Sequence, residues 1–218
     1  MKDKILGDLE NDFQGTLKNF KQYGLTSQKD IFEVALQCAK QDVHGTALHF
    51  RNFGLTSRED IFTVALQCAK QDPEAVARYF KAFGLTSKED ISKVALQCAN
   101  QSAEATALWF RNFGLTSRED IFKVALQCAK QNGEATTRCL RAFGLASRDR
   151  QEVALQCKNQ DGEEAALDFP NSSVNSKEEI FRIVLAFAEL NGHEIDPKFQ
   201  SIGLTSNEVA LELSLIHI

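Results

Sequence analysis

Residues 54–83 read GLTSREDIFTVALQCAKQDPEAVARYFKAF, and the same 30 positions recur on both sides with few changes. Gly-Leu-Thr-Ser stands at Gly24, Gly54, Gly84 and Gly114, and Gly-Leu-Ala-Ser follows at Gly144. Val-Ala-Leu-Gln-Cys begins at Val34, Val64, Val94, Val124 and, one residue early, at Val153. A fixed period of this length marks an array in which each repeat is one supersecondary unit. The quoted copy spells two helices. Ser57, with Asp60 three residues on, reads as an N-cap, and Glu59 and Asp60 suit the positive end of a helix dipole. Ile61, Phe62, Val64, Ala65, Leu66, Cys68 and Ala69 are apolar on more than one stripe, which predicts a helix packed on several sides. Asp72 and Pro73 restart the chain as N-cap and first helical residue. Asp42, Ser102, Asn132 and Asp161 hold the same cap position in other copies. Ala75, Val76, Tyr79, Phe80 and Phe83 continue at helical spacing. Gly84 is placed as a left-handed C-cap, with Leu85 as its apolar contact.

Short connections make the two helices antiparallel neighbours. One pair buries too little apolar surface to stand alone, so pairs stack. The expected fold is all-α: an α-solenoid of 30-residue antiparallel helix-pair repeats forming an extended superhelix. Residues 1–23 are a partial leading repeat, with Gly15-Thr16 matching Gly45-Thr46. Residues 24–143 hold four near-identical repeats, 144–172 a degenerate fifth, 173–202 a divergent sixth, and 203–212 the start of a seventh. A second period is present. Thr46 to Phe53 and Thr106 to Phe113 nearly match, whereas the intervening copies carry Arg78 and Arg138 and end in Ala82-Phe83 and Ala142-Phe143. A doublet of two repeats was therefore duplicated as a unit. In the fifth copy Arg148-Asp149-Arg150-Gln151 replaces Glu-Asp-Ile-Phe, so a weaker or kinked junction is expected between about Arg148 and Val174. Residues 213–218, LSLIHI, look like a translation of the transposase end sequence used in preparing sequencing libraries. On that reading they are an artefact, the natural chain continues past about Glu212, and His217 carries no functional argument.

Net charge is −5 and the pI is about 5.5, which disfavours nucleic acid as a partner, since phosphate binding needs an excess of Lys and Arg. No apolar run approaches the roughly 20 residues that span a bilayer, so no membrane role is expected. Met1-Lys2-Asp3-Lys4 leads into no apolar stretch of signal-peptide type. A cytoplasmic, reducing location is the expectation, with secretion without a classical signal peptide left open.

Several ladders repeat once per copy. Cys38, Cys68, Cys98, Cys128 and Cys157 have neither the close pairing nor the accompanying histidines of a metal site, so no metal and no cofactor are expected, and the thiols read as small core residues. Lys21, Arg51, Lys81, Arg111 and Arg141 lie in the last turn of the second helix, where cations suit the dipole. The matching acids Asp30, Asp60, Asp90 and Asp120 are their expected partners. Gln37, Gln67, Gln97, Gln127 and Gln156 read as structural. One column varies on an otherwise uniform frame: Asn19, His49, Tyr79, Trp109, Cys139 and Asp168 precede the nearly constant Phe20, Phe50, Phe80, Phe110, Leu140 and Phe169. A core position would not accept Asn, Trp and Asp in turn. The column is thus expected to be exposed or at a groove edge, either as a binding surface or as neutral drift. Tyr79 and Trp109 are residue types frequent at interfaces. Among His44, His49 and His193 none has an evident catalytic partner. There is no Gly-rich phosphate loop, no HExxH and no nucleophile elbow, so no enzymatic activity is expected.

The helix-turn-helix array resembles α-solenoid repeats of the tetratricopeptide, Sel1-like and pentatricopeptide kind. The resemblance spans roughly residues 5–212 and is architectural: the tetratricopeptide Trp/Leu-Gly/Tyr pattern is absent and the period is shorter. The Leu-Thr-Ser-x-x-Asp-Ile start and the Asn132-Gly133 turn are faintly similar to TAL-effector repeats and their bacterial relatives, which read DNA from the inter-helix loop. Here that loop carries Glu74, Glu104 and Glu134, which repel phosphate. The array is also similar to degenerate repeats in proteins of intracellular, host-associated bacteria. Together these imply a scaffold that binds a protein or peptide. The alternatives are a nucleic-acid reader with one variable residue per repeat and a purely structural spacer.

Overall fold

The computed structural model describes residues 1–161. The expectations for 162–172 of the fifth repeat, for the sixth and seventh copies, for 213–218 and for Asp168 fall outside the described residues. Within them the chain is all-α, with no strand. Its helices are α1 (Lys2–Asn11), α2 (Phe13–Lys18), α3 (Gln28–Gln41), α4 (Val43–His49), α5 (Arg58–Gln71), α6 (Pro73–Tyr79), α7 (Lys88–Gln101), α8 (Ala103–Leu108), α9 (Arg118–Gln131), α10 (Gly133–Arg138) and α11 (Ser147–Asp161). Two compact units are distinguished, Met1–Thr116 and Ser117–Ile218.

Local chemistry sets the helix boundaries. The side chains of Ser27, Ser57, Ser87 and Ser117 accept from the backbone N–H of Asp30, Asp60, Asp90 and Asp120 at 3.3–3.4 Å. Asp12, Asp42, Asp72, Ser102 and Asn132 cap the short helices α2, α4, α6, α8 and α10 in the same way. Each cap meets one of the N–H groups that a helix start leaves without an internal partner. At the far end Gly84 takes φ +69, a left-handed conformation costly for any residue with a Cβ, and Gly24, Gly54, Gly114 and Gly144 do the same.

The second helix departs from the expectation of one continuous α-helix to Phe83. It ends early, and a 3-10 turn follows at Phe20–Tyr23, Phe50–Asn52, Phe80–Ala82, Phe110–Phe113 and Leu140–Phe143. The reason is the spacing of two large side chains. A 3-10 helix has three residues per turn, so positions i and i+3 eclipse. Phe80 and Phe83 thereby both face the core, at 3% and 2% exposure.

In the first unit the helices form two rows. α1, α3, α5 and α7 contact one another in succession, as do α2, α4, α6 and α8. The first row is lined by Val34, Ala35, Cys38 and Ala39 and their counterparts in α5 and α7, all fully buried. Small side chains there allow close helix approach, and the large volume comes from the second row. Its phenylalanines interleave across repeats: Phe20 meets Phe53 at 4.9 Å between ring centroids, Phe50 meets Phe83 at 4.6 Å, and Phe80 meets Phe113 at 4.7 Å. Phe50–Phe53, Phe80–Phe83 and Phe110–Phe113 close the links within each copy. Tyr23 stands where the other copies have Phe, and its hydroxyl donates to Asp8 at 2.8 Å.

Polar contacts between repeats alternate with the doublet period. Asn52 Nδ2 donates to the carbonyls of Leu17 and Lys18, and Asn112 Nδ2 to those of Ala77 and Arg78. Ala82 takes the equivalent place between them. Arg58 grips Asp90 with Nε–Oδ2 2.6 Å and Nη2–Oδ1 2.9 Å, and also donates to the Ser87 cap at 2.8 Å. In the second unit Arg118 grips Asp149 likewise, at 2.6 and 2.7 Å. This corrects the expected pairing of Asp90 with the last-turn cations. Asp90 is taken by the arginine that opens the preceding first helix, while Arg51 of the cation ladder donates to the Lys81 carbonyl at 2.9 Å.

The missing residue of the fifth copy falls before the helix. Arg150 N–H donates to the Ala146 carbonyl as Ile61 N–H does to Ser57, so Ala146 stands where the other copies have the cap serine. Asp149 thus keeps the place of Asp90 and still meets its arginine. α11 runs unbroken from Ser147 to Asp161 despite the loss of the apolar pair.

Phe83→Ala removes one ring from the interleaved series and should cost about 3–5 kcal/mol in chemical unfolding followed by helical circular dichroism. The hydrogen bonds from Arg58 and Arg118 hold the Asp90 and Asp149 carboxyls below the usual carboxylate value, with burial opposing. A lowered folded-state pKa contributes stability that is complete above the unfolded value and is lost as pH falls through the folded one. The double variant Asp90→Asn/Asp149→Asn should therefore melt several degrees lower at pH 7. Its melting temperature should fall less steeply than wild type between about pH 5 and 2.

Candidate binding surface

The variable column occupies one defined backbone site, the residue at which α-helix gives way to 3-10 turn. Asn19, His49, Tyr79, Trp109 and Cys139 have φ of −102, −103, −105, −102 and −101, with ψ between 9 and 17. This is the sparsely allowed bridge region. Asn19 is exposed, and the other four are half-buried rather than fully exposed. Asn19 Nδ2 donates to the Gly15 carbonyl at 3.0 Å, and its Oδ1 accepts from Gln22 at 3.2 Å.

The first unit joins two of these residues into a cluster. The Arg78 guanidinium carbon lies 5.5 Å from the Tyr79 ring centroid and 5.4 Å from that of Trp109. Both are cation–π distances. On its other side Tyr79 meets His44, edge to face, with centroids 5.0 Å apart and planes at 86°. The Tyr79 hydroxyl and His44 Nε2 are 3.4 Å apart. His44, Tyr79, Arg78 and Trp109 thus form a run through three consecutive repeats. The Trp109 indole N–H is buried without a hydrogen-bond partner. Asn19 and His49 are not joined to the run, and Cys139 belongs to the second unit.

Two of these residues were not legible as site residues. His44 lacked an evident partner because Tyr79 is 35 positions away. Arg78 marked only the doublet. The signal was its column, which reads Lys18, Leu48, Arg78, Leu108 and Arg138 and is exposed throughout, with Leu48 at 43% and Leu108 at 59%. Arg138 in this column faces Glu134 at 3.7 Å, four residues back. Arg78 has Glu74 at the same offset but lies over the two rings instead, and it makes no ion pair among the described residues.

The other ladders carry no comparable feature. Cys38, Cys68, Cys98, Cys128 and Cys157 form no disulfide and are fully buried. Burial pushes the Cys38 and Cys68 thiols up to about 12 and raises Cys128 as well. Among the described residues no three His, Cys, Asp or Glu side chains converge as metal ligands would, and no helix is long and apolar enough to cross a membrane. On the first helices Lys93 and Lys123 are ordinary exposed surface and pair with Glu89 and Glu119 one turn back, while Glu33 pairs with Lys2. Compared with protein-family models, curated proteins and solved structures, the chain matches none of them.

Only a thiolate attacks an alkylating reagent, so burial protects all the ladder cysteines, and a raised pKa adds to it at Cys38, Cys68 and Cys128. Brief iodoacetamide treatment of the folded chain at pH 8 should label the half-buried Cys139 first. Cys38, Cys68, Cys98 and Cys128 should stay unmodified until denaturant is added, as read by peptide mass mapping.

Proposed function

We propose that the chain is a non-enzymatic α-solenoid scaffold that binds a polypeptide through the second-helix column and the side chains beside it. The observation that carries this reading is one backbone position holding Asn, His, Tyr, Trp and Cys in turn while the residues that pack behind it stay nearly constant. A frame that repeats while one column changes suits recognition of a varied surface better than catalysis, which needs a single unique constellation. The half-buried Tyr79 and Trp109 rings with Arg78 across them supply the three residue types most enriched at interface hot spots.

A nucleic-acid reader is the second reading, and one observation favours it. Residues 1–161 hold 22 Lys and Arg against 20 Asp and Glu, a net of +2, so the acidity of the chain lies in residues 162–218. Against it, Arg78 occupies the Tyr79 and Trp109 rings, whereas base stacking needs free ring faces.

A pull-down with the full chain separates these readings. Wild type and the triple variant His49→Ala/Tyr79→Ala/Trp109→Ala are compared with and without nuclease, after circular dichroism shows equal helicity. The scaffold reading expects a nuclease-resistant polypeptide whose capture drops at least tenfold in the variant. Equal capture by both proteins makes the column drift, and capture abolished by nuclease moves the function to nucleic acid.

A further inference from the structure

The scaffold reading leaves open what kind of polypeptide the surface takes, and the first unit carries enough geometry to say. Leu48, Arg78 and Leu108 hold the same place on α4, α6 and α8, and all three are exposed. These helices contact one another in succession, and packed helices lie about 8–10 Å apart. The column therefore presents an apolar side chain, a cation and an apolar side chain at steps of that length. The cation is prepared for an anion. Two aromatic rings flank the guanidinium, it has no carboxylate partner among the described residues, and cation–π contact leaves its N–H edge available for bidentate bonds to a carboxylate.

The spacing selects the ligand's backbone. A β-strand turns residues i and i+3 to opposite faces. A polyproline II helix has three residues per turn and rises about 3.1 Å per residue, so i and i+3 lie on one face roughly 9 Å apart. We propose that the first unit binds a peptide in polyproline II form with a carboxylate flanked, three residues away on each side, by apolar side chains. The carboxylate sits on Arg78, and the apolar side chains sit on Leu48 and Leu108. The flanking leucines favour a peptide over a phosphate or a nucleic acid, neither of which has apolar groups to offer at those positions. This inference rests on the scaffold reading and deepens it.

The chain has one tryptophan, Trp109, within the proposed site. Its emission therefore reports on binding of a peptide that contains none. The probe is Ser-Leu-Pro-Pro-Glu-Pro-Pro-Leu-Ser, acetylated and amidated, titrated into the full chain. A saturable change in Trp109 emission is expected. Arg78→Glu in the protein, or Glu to Gln in the peptide, should weaken binding at least tenfold. The Arg78→Glu protein should recover affinity for the peptide with Lys in place of Glu. Arg78 is exposed, so circular dichroism of the variant should match wild type. The proposal is overturned by no saturable change up to millimolar peptide, by equal binding of a peptide with its leucines moved one position inward, or by an unaltered affinity in Arg78→Glu. Tighter binding of a mixed-sequence single-stranded oligonucleotide overturns it as well. If the peptide fails while the triple alanine variant still loses a captured polypeptide, the scaffold stands and only this ligand class is wrong.

Discussion

Two large apolar side chains three residues apart must share one core, and much of this structure follows from that requirement. Phe80 and Phe83 cannot both face inward on an α-helix as well as they can on a 3-10 turn, where three residues complete a turn. The chain therefore leaves α geometry just before the pair. The rings then reach in both directions along the first unit, Phe80 to Phe113 and Phe83 to Phe50. The residue at the change of geometry is held in the bridge region in every described copy. Packing and the variable column are thus two consequences of one constraint: the same turn that buries the phenylalanines sets the position of the side chain before them.

Polar chemistry between repeats is sparse and directional. The first helices bring small residues and buried thiols to their contacts, which permits close approach but gives little specificity of register. Register comes from single reaching side chains such as Asn52 and Asn112 on the carbonyl ends of an earlier helix, and Arg58 on the cap of a later one. The bidentate Arg58–Asp90 and Arg118–Asp149 pairs bury the carboxylate while leaving most of the guanidinium in water. The fifth copy shows how far this holds: a deleted residue and a lost serine cap are absorbed ahead of the helix, and Asp149 still meets Arg118.

The candidate site was half legible. Exchange of Asn, His, Tyr and Trp at one position among constant neighbours could be read directly. At the α to 3-10 change Asn19 is exposed and the other four described residues are half covered, a degree of cover that the spacing alone does not give. Arg78 and His44 could not be assigned from spacing. Their partners lie in adjacent repeats, and Arg78 prefers two rings to the glutamate one turn away, a choice that depends on where Trp109 is carried by the next copy.

By itself the sequence determined the two-helix unit, its caps, its left-handed glycine and its period, because each of these is satisfied within a few neighbouring residues. Asp72 caps the helix that it precedes, and Gly84 ends the one it follows, whatever else the chain does. Only the tertiary structure decided which arginine meets which aspartate, that the phenylalanines meet across repeats as well as within their own copy, and that His44, Tyr79, Arg78 and Trp109 form one run. Those contacts join residues about a repeat apart, and they exist only once packing has set the offset between neighbouring helix pairs.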